Sequence, residues 1–419
     1  MLGSRDFRVL LAARLASQVA EGAFLAAVLD TVVFLPESQS TLRGFALATA
    51  LTLLPFSLVE PFAGVFVDRW ARRPILVVLP LVRAAFALLL LPLVGVAALA
   101  YAGTLVVFSA NRLFQATATA VVPRIVGAGD EATATADARL FAANMVASVA
   151  GTVALFGGIF AGGLITSASG TAVTIALACV AWLAASAIGA RLSDRLPPRE
   201  IHDEGVGRQL AAAAADLVDG FRRIGRTPAA LAPVLAVAVG QFLQVMVIAT
   251  TLAVITGVLG GGLLTFSGLV GAGGVGVFLG FLTSGLMRSR MPGPLLMAAA
   301  FVLAALALVP VLVTAAPATL IPGAVLLGAS YGWTRVPADT LAQRAVPDGY
   351  RGRVFTAVDL GFNTARVLGA LAAVVVVPLL GPRTTAVFLL VLVLAWAPVV
   401  PLWLRTATRA GDAGPPSGG

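Results

Sequence analysis

The sequence predicts an all-α polytopic membrane protein, with twelve transmembrane helices in two pseudo-symmetric bundles of six. The composition is the first observation: 59% of the 419 residues are hydrophobic, 11% are charged, and the mean hydropathy is +0.99. A water-soluble protein of this length would need more charge on its surface. The second is that the apolar blocks reach the roughly 20 residues with which a helix crosses a bilayer. The third is the alternation of arginine between successive loops.

Apolar blocks between polar breaks give the positions of the predicted helices. Several breaks are short and contain Gly or Pro, which is typical of turns between antiparallel neighbours. Small residues within the blocks allow close helix packing in lipid. The predicted spans are residues 8–34, 44–67, 75–96, 104–123, 140–165, 171–191, 229–254, 263–287, 294–313, 318–335, 354–380 and 384–404.

The arginines orient these spans. With the N-terminus inside the cell, the cytoplasmic side receives the central-loop arginines together with Arg5, Arg8, Arg69, Arg72, Arg73, Arg124, Arg139, Arg288, Arg290, Arg335, Arg344, Arg351, Arg353, Arg405 and Arg409. The outer loops then contain only Arg43 and Arg383. Positive residues are retained on the cytoplasmic side during insertion. We therefore expect a multi-pass protein of the cell membrane with both termini in the cytoplasm.

The longest polar stretch divides the chain into two halves. The predicted domains are an N-terminal bundle at 1–191, a cytoplasmic central loop at 192–228, a C-terminal bundle at 229–404 and a disordered tail at 405–419. Within the loop, RQLAAAAADLVDGFRRI is either an amphipathic helix on the inner membrane surface or a solvated linker. Two six-helix halves are typical of transporters that bind substrate between repeats.

A cluster of charge, GVFVDRWARRP, follows the second predicted span. It contains Gly64, Asp68, Arg69, Arg72 and Arg73. The segment resembles the signature between helices 2 and 3 of the major facilitator superfamily, Gly-x-Leu-Ala-Asp-Arg-x-Gly-Arg-Arg/Lys-x-x-Leu. Three positions depart from that pattern: Phe66, Val67 and Ala71. The resemblance implies that this gate motif latches the inner side in the outward-open state, and that the chain is a secondary active transporter of the major facilitator fold.

Other segments are similar to the exporter-like branch of that superfamily, which is associated with efflux of drugs, macrolides, siderophores or secondary metabolites. They are LLPFSLVEPFAGVFVDRWARR and QRAVPDGYRGRVFTAVDLGFN, the latter from Gln343 to Asn363. NRLFQATATA partly resembles the superfamily's Arg-x-x-Gln-Gly motif and retains Arg112 and Gln115. GTVALFGGIFAGG resembles the antiporter Gly-Pro motif, although Gly158 stands at the proline position. The resemblance implies proton-driven export of a hydrophobic or amphipathic small molecule.

Span 1 contains the strongest candidate for a proton-coupling site. Arg14, Gln18 and Glu21 have the spacing i, i+4, i+7 and therefore share one helical face. At 1.5 Å per residue, Glu21 lies roughly 20 Å from the inner end, close to mid-depth. An ionisable residue there costs at least about 2.5 kcal/mol, so it needs a reason. We predict that Glu21 exchanges protons as access alternates; the alternative is a fixed ion pair with a membrane arginine such as Arg112 or Arg366.

Spans 4 and 11 repeat this kind of arrangement. In span 4, Arg112 and Gln115 share a face, and Arg112 either contacts an anionic substrate group, adjusts the charge of Glu21, or forms a structural ion pair. In span 11, Asp359, Asn363 and Arg366 have the spacing i, i+4, i+7. Asp359 lies about 8 Å from the inner end, so we assign it to the cytoplasmic gate, with an inner-face ion pair as the favoured arrangement.

Three further groups of polar or aromatic residues lie within the predicted spans. Gln241 and Gln244 in span 7 either donate hydrogen bonds into the cavity or hold helices together. Arg83 in span 3 is interpreted as extending its side chain towards the interface rather than as a buried ion-pair partner. Tyr331 and Trp333 either stack on a ligand or anchor the helix at the membrane boundary.

Several function classes are excluded by what the sequence lacks. All 28 basic residues are Arg, so no Walker-type lysine loop for ATP occurs. The single cysteine and single histidine argue against a Cys/His metal site, and we expect no metal and no cofactor. The net charge of +9 lies in loops between spans, which argues against nucleic-acid binding. We expect a monomeric non-enzyme whose partners are a small-molecule substrate, protons and the bilayer; the alternatives are an importer or facilitator of a polar nutrient and a non-transport protein such as a receptor or lipid scramblase.

Overall fold

The computed structural model describes residues 4–34, 41–59, 61–63, 65, 70–91, 97–126, 134–193, 205–313, 316–346 and 351–412. Throughout these residues the regular structure is helical, and no strand occurs in them. The first-half helices are α1 Arg5–Leu29, continued by a π-helix at Asp30–Phe34, α2 Thr41–Leu58, α3 Arg72–Leu90, α4 Ala97–Ile125, α5 Ala134–Ser169 and α6 Thr171–Gly189. The later helices are α7 Val206–Arg226, α8 Pro228–Gly257, α9 Leu263–Arg288, α10 Gly293–Leu306, α11 Val309–Val313, α12 Pro317–Ala345, α13 Arg351–Leu380 and α14 Pro382–Asp412.

Local sequence signals determine where several helices begin. The hydroxyl of Ser4 accepts a hydrogen bond from the Phe7 backbone N–H at 3.4 Å and caps α1. Proline occupies the first position of α8 and of α12, where its missing N–H is not needed. A single glycine separates α5 from α6 and α13 from α14. Gly170 has φ +89° and Gly381 has φ +78°, which are left-handed conformations that favour glycine.

Ten helical segments of the described chain are long and apolar enough to cross a membrane. They confirm ten of the twelve predicted spans, and the chain is an all-α polytopic membrane protein. The exceptions are predicted spans 44–67 and 318–335. Helix α2 covers the first part of 44–67, and part of the remainder lies outside the described residues. Helix α12 is 29 residues long, but its polar and aromatic residues make it less apolar than the other ten. The count of twelve therefore stays a prediction.

The chain divides into two compact units. Unit 1 comprises Met1–Leu35 and Leu51–Ala214, and unit 2 comprises Pro36–Ala50 and Ala215–Gly419. The division falls within α7, the segment for which the sequence left open a helix or a linker; residues 206–226 are helical. The predicted disordered tail was too long, because α14 continues to Asp412. The Arg and Ala residues in that stretch favour a helix, and the remaining Gly/Pro-rich residues lie outside the described chain.

Glycines bring pairs of helices into close contact within each unit. In unit 1, a Cβ at Gly22 of α1 would lie 2.2 Å from the Leu155 carbonyl oxygen of α5. In unit 2, a Cβ at Gly276 of α9 would lie 2.1 Å from the Val325 carbonyl oxygen of α12. No side chain fits at such distances, so the helix backbones touch directly.

The apolar core of unit 1 is centred on aromatic side chains. The Phe24 ring lies 5.9 Å from that of Phe108 and 5.5 Å from that of Trp182, measured between centroids. These three residues join α1, α4 and α6, and all are 1% exposed or less. This core lies one turn from Glu21, so the polar site described next is built on a rigid support.

Candidate functional site

Glu21 in α1 is an ion-pair partner of two arginines inside unit 1. Its Oε1 accepts a hydrogen bond from Nη2 of Arg112, in α4, at 3.0 Å. Its Oε2 lies 3.8 Å from Nη2 of Arg83, in α3. The Glu21 side chain is 4% exposed and that of Arg83 is 0% exposed, while that of Arg112 is 13% exposed. The carboxylate is therefore enclosed by two positive charges, one fully buried and one that retains access to solvent.

Arg83 is held from three directions. Its Nη1 donates to the Ser17 hydroxyl at 2.7 Å, and its guanidinium carbon lies 4.4 Å from the ring centroid of Trp182. A guanidinium over an indole ring gains a cation–π attraction. The prediction that Arg83 extends towards the interface is wrong, because its side chain is fully buried beside Glu21, Ser17 and Trp182.

Several polar groups beside the ion pair have no hydrogen-bond partner among the described residues. They are Nε of Arg14, Oε1 of Gln18, and both amide ends of Asn111 and Gln115, all of which are buried atoms. Arg14 also lies near enough to Arg112 for their positive charges to repel each other. Burying a polar group without a partner costs free energy, about 1–3 kcal/mol for each group. Such a collection is a candidate ligand-facing surface.

Glycines of α5 allow α1 to approach closely, because they have no side chain where Arg14 and Gln18 lie. A Cβ at Gly151 of α5 would lie 3.6 Å from the Arg14 side chain and 3.7 Å from that of Gln18. Two turns further towards the C-terminal end of α5, a Cβ at Gly158 would lie 2.4 Å from the Val19 carbonyl oxygen. Glycine at these positions lets the polar face of α1 lie directly against α5.

Unit 2 contains a small cavity of about 20 Å³, which is room for about one water molecule. Its lining includes the predicted residues Gln241 and Gln244 of α8, together with Tyr331 and Thr334 of α12. The Gln244 side-chain amide donates to the Leu327 carbonyl at 3.2 Å. The cavity therefore combines amide and hydroxyl groups with apolar walls.

Arg335, in the C-terminal half of α12, binds two acids of unit 2. Its Nη2 lies 2.6 Å from the carboxylate of Asp359, and its Nε lies 2.8 Å from that of Asp339. Its guanidinium also packs 4.6 Å from the Phe362 ring centroid. The structure thus gives Asp359 an ion pair that joins α13 to α12 within one unit.

Asn363 and Arg366 follow Asp359 along α13. Asn363 is 8% exposed. Arg366 is half-buried, its Nε is a buried atom without a partner, and Tyr331 contributes to its electrostatic surroundings. No described acid pairs with it.

The described residues contain no cluster of three or more His, Cys, Asp or Glu side chains that could hold a metal ion. The arrangement is one of ion pairs and amides inside apolar helices. It fits the binding of protons and small polar groups within a transport protein.

A family model described as the Major Facilitator Superfamily matches residues 10–370 of the chain. The chain belongs to the major facilitator superfamily. Two similar curated proteins are uncharacterized MFS-type transporters of Mycobacterium bovis and Mycobacterium tuberculosis. Each is 43% identical to this chain over 72 residues, which is 17% of this chain and 16% of the relative. The chain therefore matches only a small part of the length of these relatives.

Two solved transporter structures resemble nearly the whole chain in fold. The POT family transporter PepTSo matches with a TM-score of 0.67 and 12% identity, over 98% of this chain and 99% of that one. The nucleoside transporter NupG matches with a TM-score of 0.70 and 12% identity, over 96% and 99%. The membership and these neighbours make the chain a membrane transporter by family; at such identities the structural likeness concerns the fold.

The superfamily gate motif lies mostly outside the described residues, which exclude Gly64, Asp68 and Arg69. Arg72 and Arg73, at the start of α3, are described. Arg72 is 4% exposed, and Nη2 of Arg73 donates to the Ala190 carbonyl at 2.7 Å. Arg73 therefore ties the start of α3 to the end of α6.

The second half of the chain repeats the spacing of that motif as Gly280, Ser284 and Arg288. A Cβ at Gly280 would lie 2.4 Å from the Ala329 carbonyl oxygen, so this glycine permits close packing of α9 on α12. Arg288 donates to the Thr340 hydroxyl at 2.7 Å. With serine in place of the acid, the arginine of this copy binds a hydroxyl on α12.

Three residues around the Glu21 ion pairs were not among the sequence candidates: Ser17, Asn111 and Trp182. Asn111 precedes Arg112 and is fully buried, and Trp182 lies in the middle of α6 with its indole against Arg83. The sequence did contain a signal for this contact, because an arginine (Arg83) and a tryptophan (Trp182) in the middle of predicted spans are both unusual away from the membrane interface. Which helix faces brought them together could not be derived from spacing alone.

Proposed function

We propose that this chain is a secondary active transporter that exports a hydrophobic or amphipathic small molecule in exchange for protons, by alternating access. The observation that carries the proposal is the carboxylate of Glu21, buried in unit 1 between Arg112 and Arg83. In a membrane-embedded protein, a buried acid is a functional-site hypothesis by default. Of the acids in the first helical segment, Asp6 and Asp30 lie near its ends and Glu21 lies between them.

The different settings of the two arginines suggest how Glu21 would act. Ionised Glu21 accepts a charge-assisted hydrogen bond from Arg112, and protonation removes the charge that strengthens this bond. Arg83 stays in place because Ser17 and Trp182 hold it. Arg112 retains some exposure, so it is the partner that moves. Loading a proton on Glu21 would then change how α1 and α4 fit together.

Coupling to substrate follows from linkage between the two binding events. If the substrate binds better when Glu21 is ionised and held by Arg112, a proton on Glu21 weakens substrate binding by the same factor. That reciprocity is the thermodynamic requirement for exchange. The unpartnered groups of Gln18, Asn111 and Gln115 are the polar contacts that such a substrate would use.

Export and an apolar substrate are supported by the resemblance of two segments to the exporter-like branch, one ending at the gate motif and the other at Asn363. Location in the cell membrane, cytoplasmic termini and function as a monomer belong to the same proposal. The rival is an importer of a polar nutrient, which the unpartnered amides of Asn111 and Gln115 would also fit.

Transport in purified proteoliposomes tests the proposal. Vesicles with an imposed pH gradient and an internal pH dye would be challenged with a panel of amphipathic compounds, with protein-free vesicles as the control. We expect at least one compound to dissipate the gradient only where the protein is present, with substrate and proton moving in opposite directions. Movement in the same direction would support import, and no movement of any compound would support a receptor or another non-transport role.

A further inference from the structure

We infer that the substrate carries an anionic group, such as a carboxylate, sulfonate or phosphate, and that Arg366 of unit 2 binds it. This inference deepens the proposed function and rests on it, because it names the charge class of the molecule that the transporter carries. It depends on unit 2 alone and is independent of how Glu21 is coupled to protons.

The first step is that Arg366 is a charge inside an apolar helix without an acid to balance it. Its Nε is a buried atom without a hydrogen-bond partner, and no ion pair joins Arg366 to any acid that the structure describes. An arginine within a membrane-spanning segment is costly, by about 2.5–3.5 kcal/mol on insertion scales. Such residues face a protein interior or a water-filled cavity and pair with a partner there.

The second step is that the nearby acids are already engaged. Asp359 lies two helical turns before Arg366, about 10 Å along α13 at 1.5 Å per residue. Its carboxylate binds Arg335 at 2.6 Å, and Asp339 binds the same arginine at 2.8 Å. Tyr331 of α12 contributes to the electrostatic surroundings of Arg366. The available acids of unit 2 therefore leave Arg366 open to an external partner.

The third step concerns the exposure and the shape of the Arg366 side chain. Its Nε is a buried atom without a partner, while the residue as a whole is only partly buried, so Arg366 is not fully enclosed by protein. A guanidinium presents its N–H groups in a planar fork that matches carboxylate, sulfonate and phosphate oxygens.

The fourth step concerns the chemistry of the small cavity in the same unit as Arg366. Tyr331 lines that cavity together with Gln241 and Gln244, and its ring packs edge-on against Phe281 at 5.8 Å between centroids. The rest of the lining includes the apolar side chains of Phe301 and Val393. A guanidinium without an acid, in a unit that also presents amide, hydroxyl and apolar groups, suits an amphipathic anion better than a cation, which its charge would repel.

The experiment is an equilibrium binding measurement without any gradient. The purified full-length protein would be titrated with 2-naphthoate, 2-naphthalenesulfonate and 2-naphthyl phosphate, and with the matched 2-naphthalenemethanol and 2-naphthylmethylammonium. Ligand-dependent thermal stabilisation gives the Kd of each probe. We expect at least one anion to bind about tenfold more tightly than both the alcohol and the ammonium compound, a difference of about 1.4 kcal/mol.

Variants assign that preference to Arg366. In Arg366→Gln we expect the anion to bind no better than the alcohol, whereas Arg366→Lys retains part of the preference. Arg383→Gln is the matched control, because Arg383 is an exposed arginine of the same unit and its loss should change nothing. Anionic lipid is a second source of the same chemistry, so the titration is repeated with phosphatidylglycerol present. Loss of probe binding there means that a lipid headgroup fills the site, and an unchanged Kd means that free anions do.

Two results would overturn the inference. One is a wild-type protein that binds no anion more tightly than the alcohol or the ammonium compound. The other is a folded Arg366→Gln variant that keeps the full anion preference. The first result needs only wild-type protein, so it tests the inference even if the Arg366→Gln variant does not fold. The binding measurement uses no gradient, so its result does not depend on proton coupling or on the direction of transport. Those two proposals are tested separately in the proteoliposome assay.

Discussion

Nη2 of Arg112 lies 3.0 Å from Oε1 of Glu21, which joins α4 to α1 across 91 residues of sequence. The same carboxylate faces Arg83 of α3 at 3.8 Å. Three helices of unit 1 thus meet at one acid inside an apolar protein. Their arrangement separates a fixed arginine from one that keeps some access to solvent, and the predictions below depend on that difference.

Removing the fixed arginine should destabilise the protein more than removing the accessible one. Arg83→Gln leaves the Ser17 hydroxyl and the Trp182 ring without their buried partner, and we expect a loss of about 3 kcal/mol. Arg112→Gln should cost less, because that side chain is partly exposed. Thermal unfolding of the purified variants checks this order. The exposed Arg208→Gln serves as control, and equal stability of Arg83→Gln and Arg208→Gln would contradict the role of Arg83.

Glycine packing in unit 2 provides a test with a matched control on one helix. A Cβ at Gly276 of α9 would lie 2.1 Å from the Val325 carbonyl oxygen, whereas a Cβ at Gly285 meets nothing within 4 Å. We expect Gly276→Ala to force α9 and α12 apart and to cost about 1–3 kcal/mol. Gly285→Ala should be neutral or slightly stabilising, because alanine favours helix. Similar unfolding temperatures for both variants would mean that the close helix contact does not exist.

The stability of the protein should depend more on Arg335 than on either of the two acids that it binds. Arg335 binds Asp339 and Asp359 and packs on the Phe362 ring, so Arg335→Gln removes all three interactions. The Asp359 side chain is 44% exposed, so water stabilises much of its charge and Asp359→Asn should have little effect on stability. Thermal unfolding in detergent compares the two variants. A larger loss in Asp359→Asn than in Arg335→Gln would reverse this assignment.

The gate motif gives a prediction from sequence. Asp68 follows Gly64 by four residues in the sequence, and we expect its carboxylate to pair with an arginine or with the positive N-terminus of a neighbouring helix. We expect Asp68→Asn to slow transport by about tenfold while insertion stays intact, a change of about 1.4 kcal/mol in the barrier. Initial transport rates per molecule of inserted protein measure this. A normal rate would reduce the motif to a topology signal.

Much of the fold could be predicted from the sequence because membrane insertion imposes simple rules. Length and hydropathy located ten spans, and the resemblance at the charged loop after span 2 indicated the superfamily that the family model confirms. Span 318–335 was harder to place, since α12 continues to Ala345. Its Pro322 and Pro337 lie inside the helix, where sequence rules favour a break.

The candidate site was only partly predictable, because helical periodicity gives the face of a residue but not its partner on another helix. The spacing of Arg14, Gln18 and Glu21 placed them together on α1, and the ion pair with Arg112 was among the alternatives considered. Arg83 was misinterpreted, because its burial depends on Ser17 and Trp182, which lie 66 and 99 residues away in the chain. Contacts at that separation follow from helix packing, which single-sequence patterns do not specify.

Proton coupling through Glu21 is the central claim, and proton flux measured together with substrate flux in proteoliposomes tests it most directly. The measurement compares wild type with Glu21→Gln, and with Asp30→Asn as a control acid of the same segment that binds Thr171. We predict that Glu21→Gln loses gradient-driven accumulation and substrate-linked proton movement, yet still exchanges labelled for unlabelled substrate across the membrane. Full gradient-driven transport with unchanged proton movement in Glu21→Gln would contradict the account.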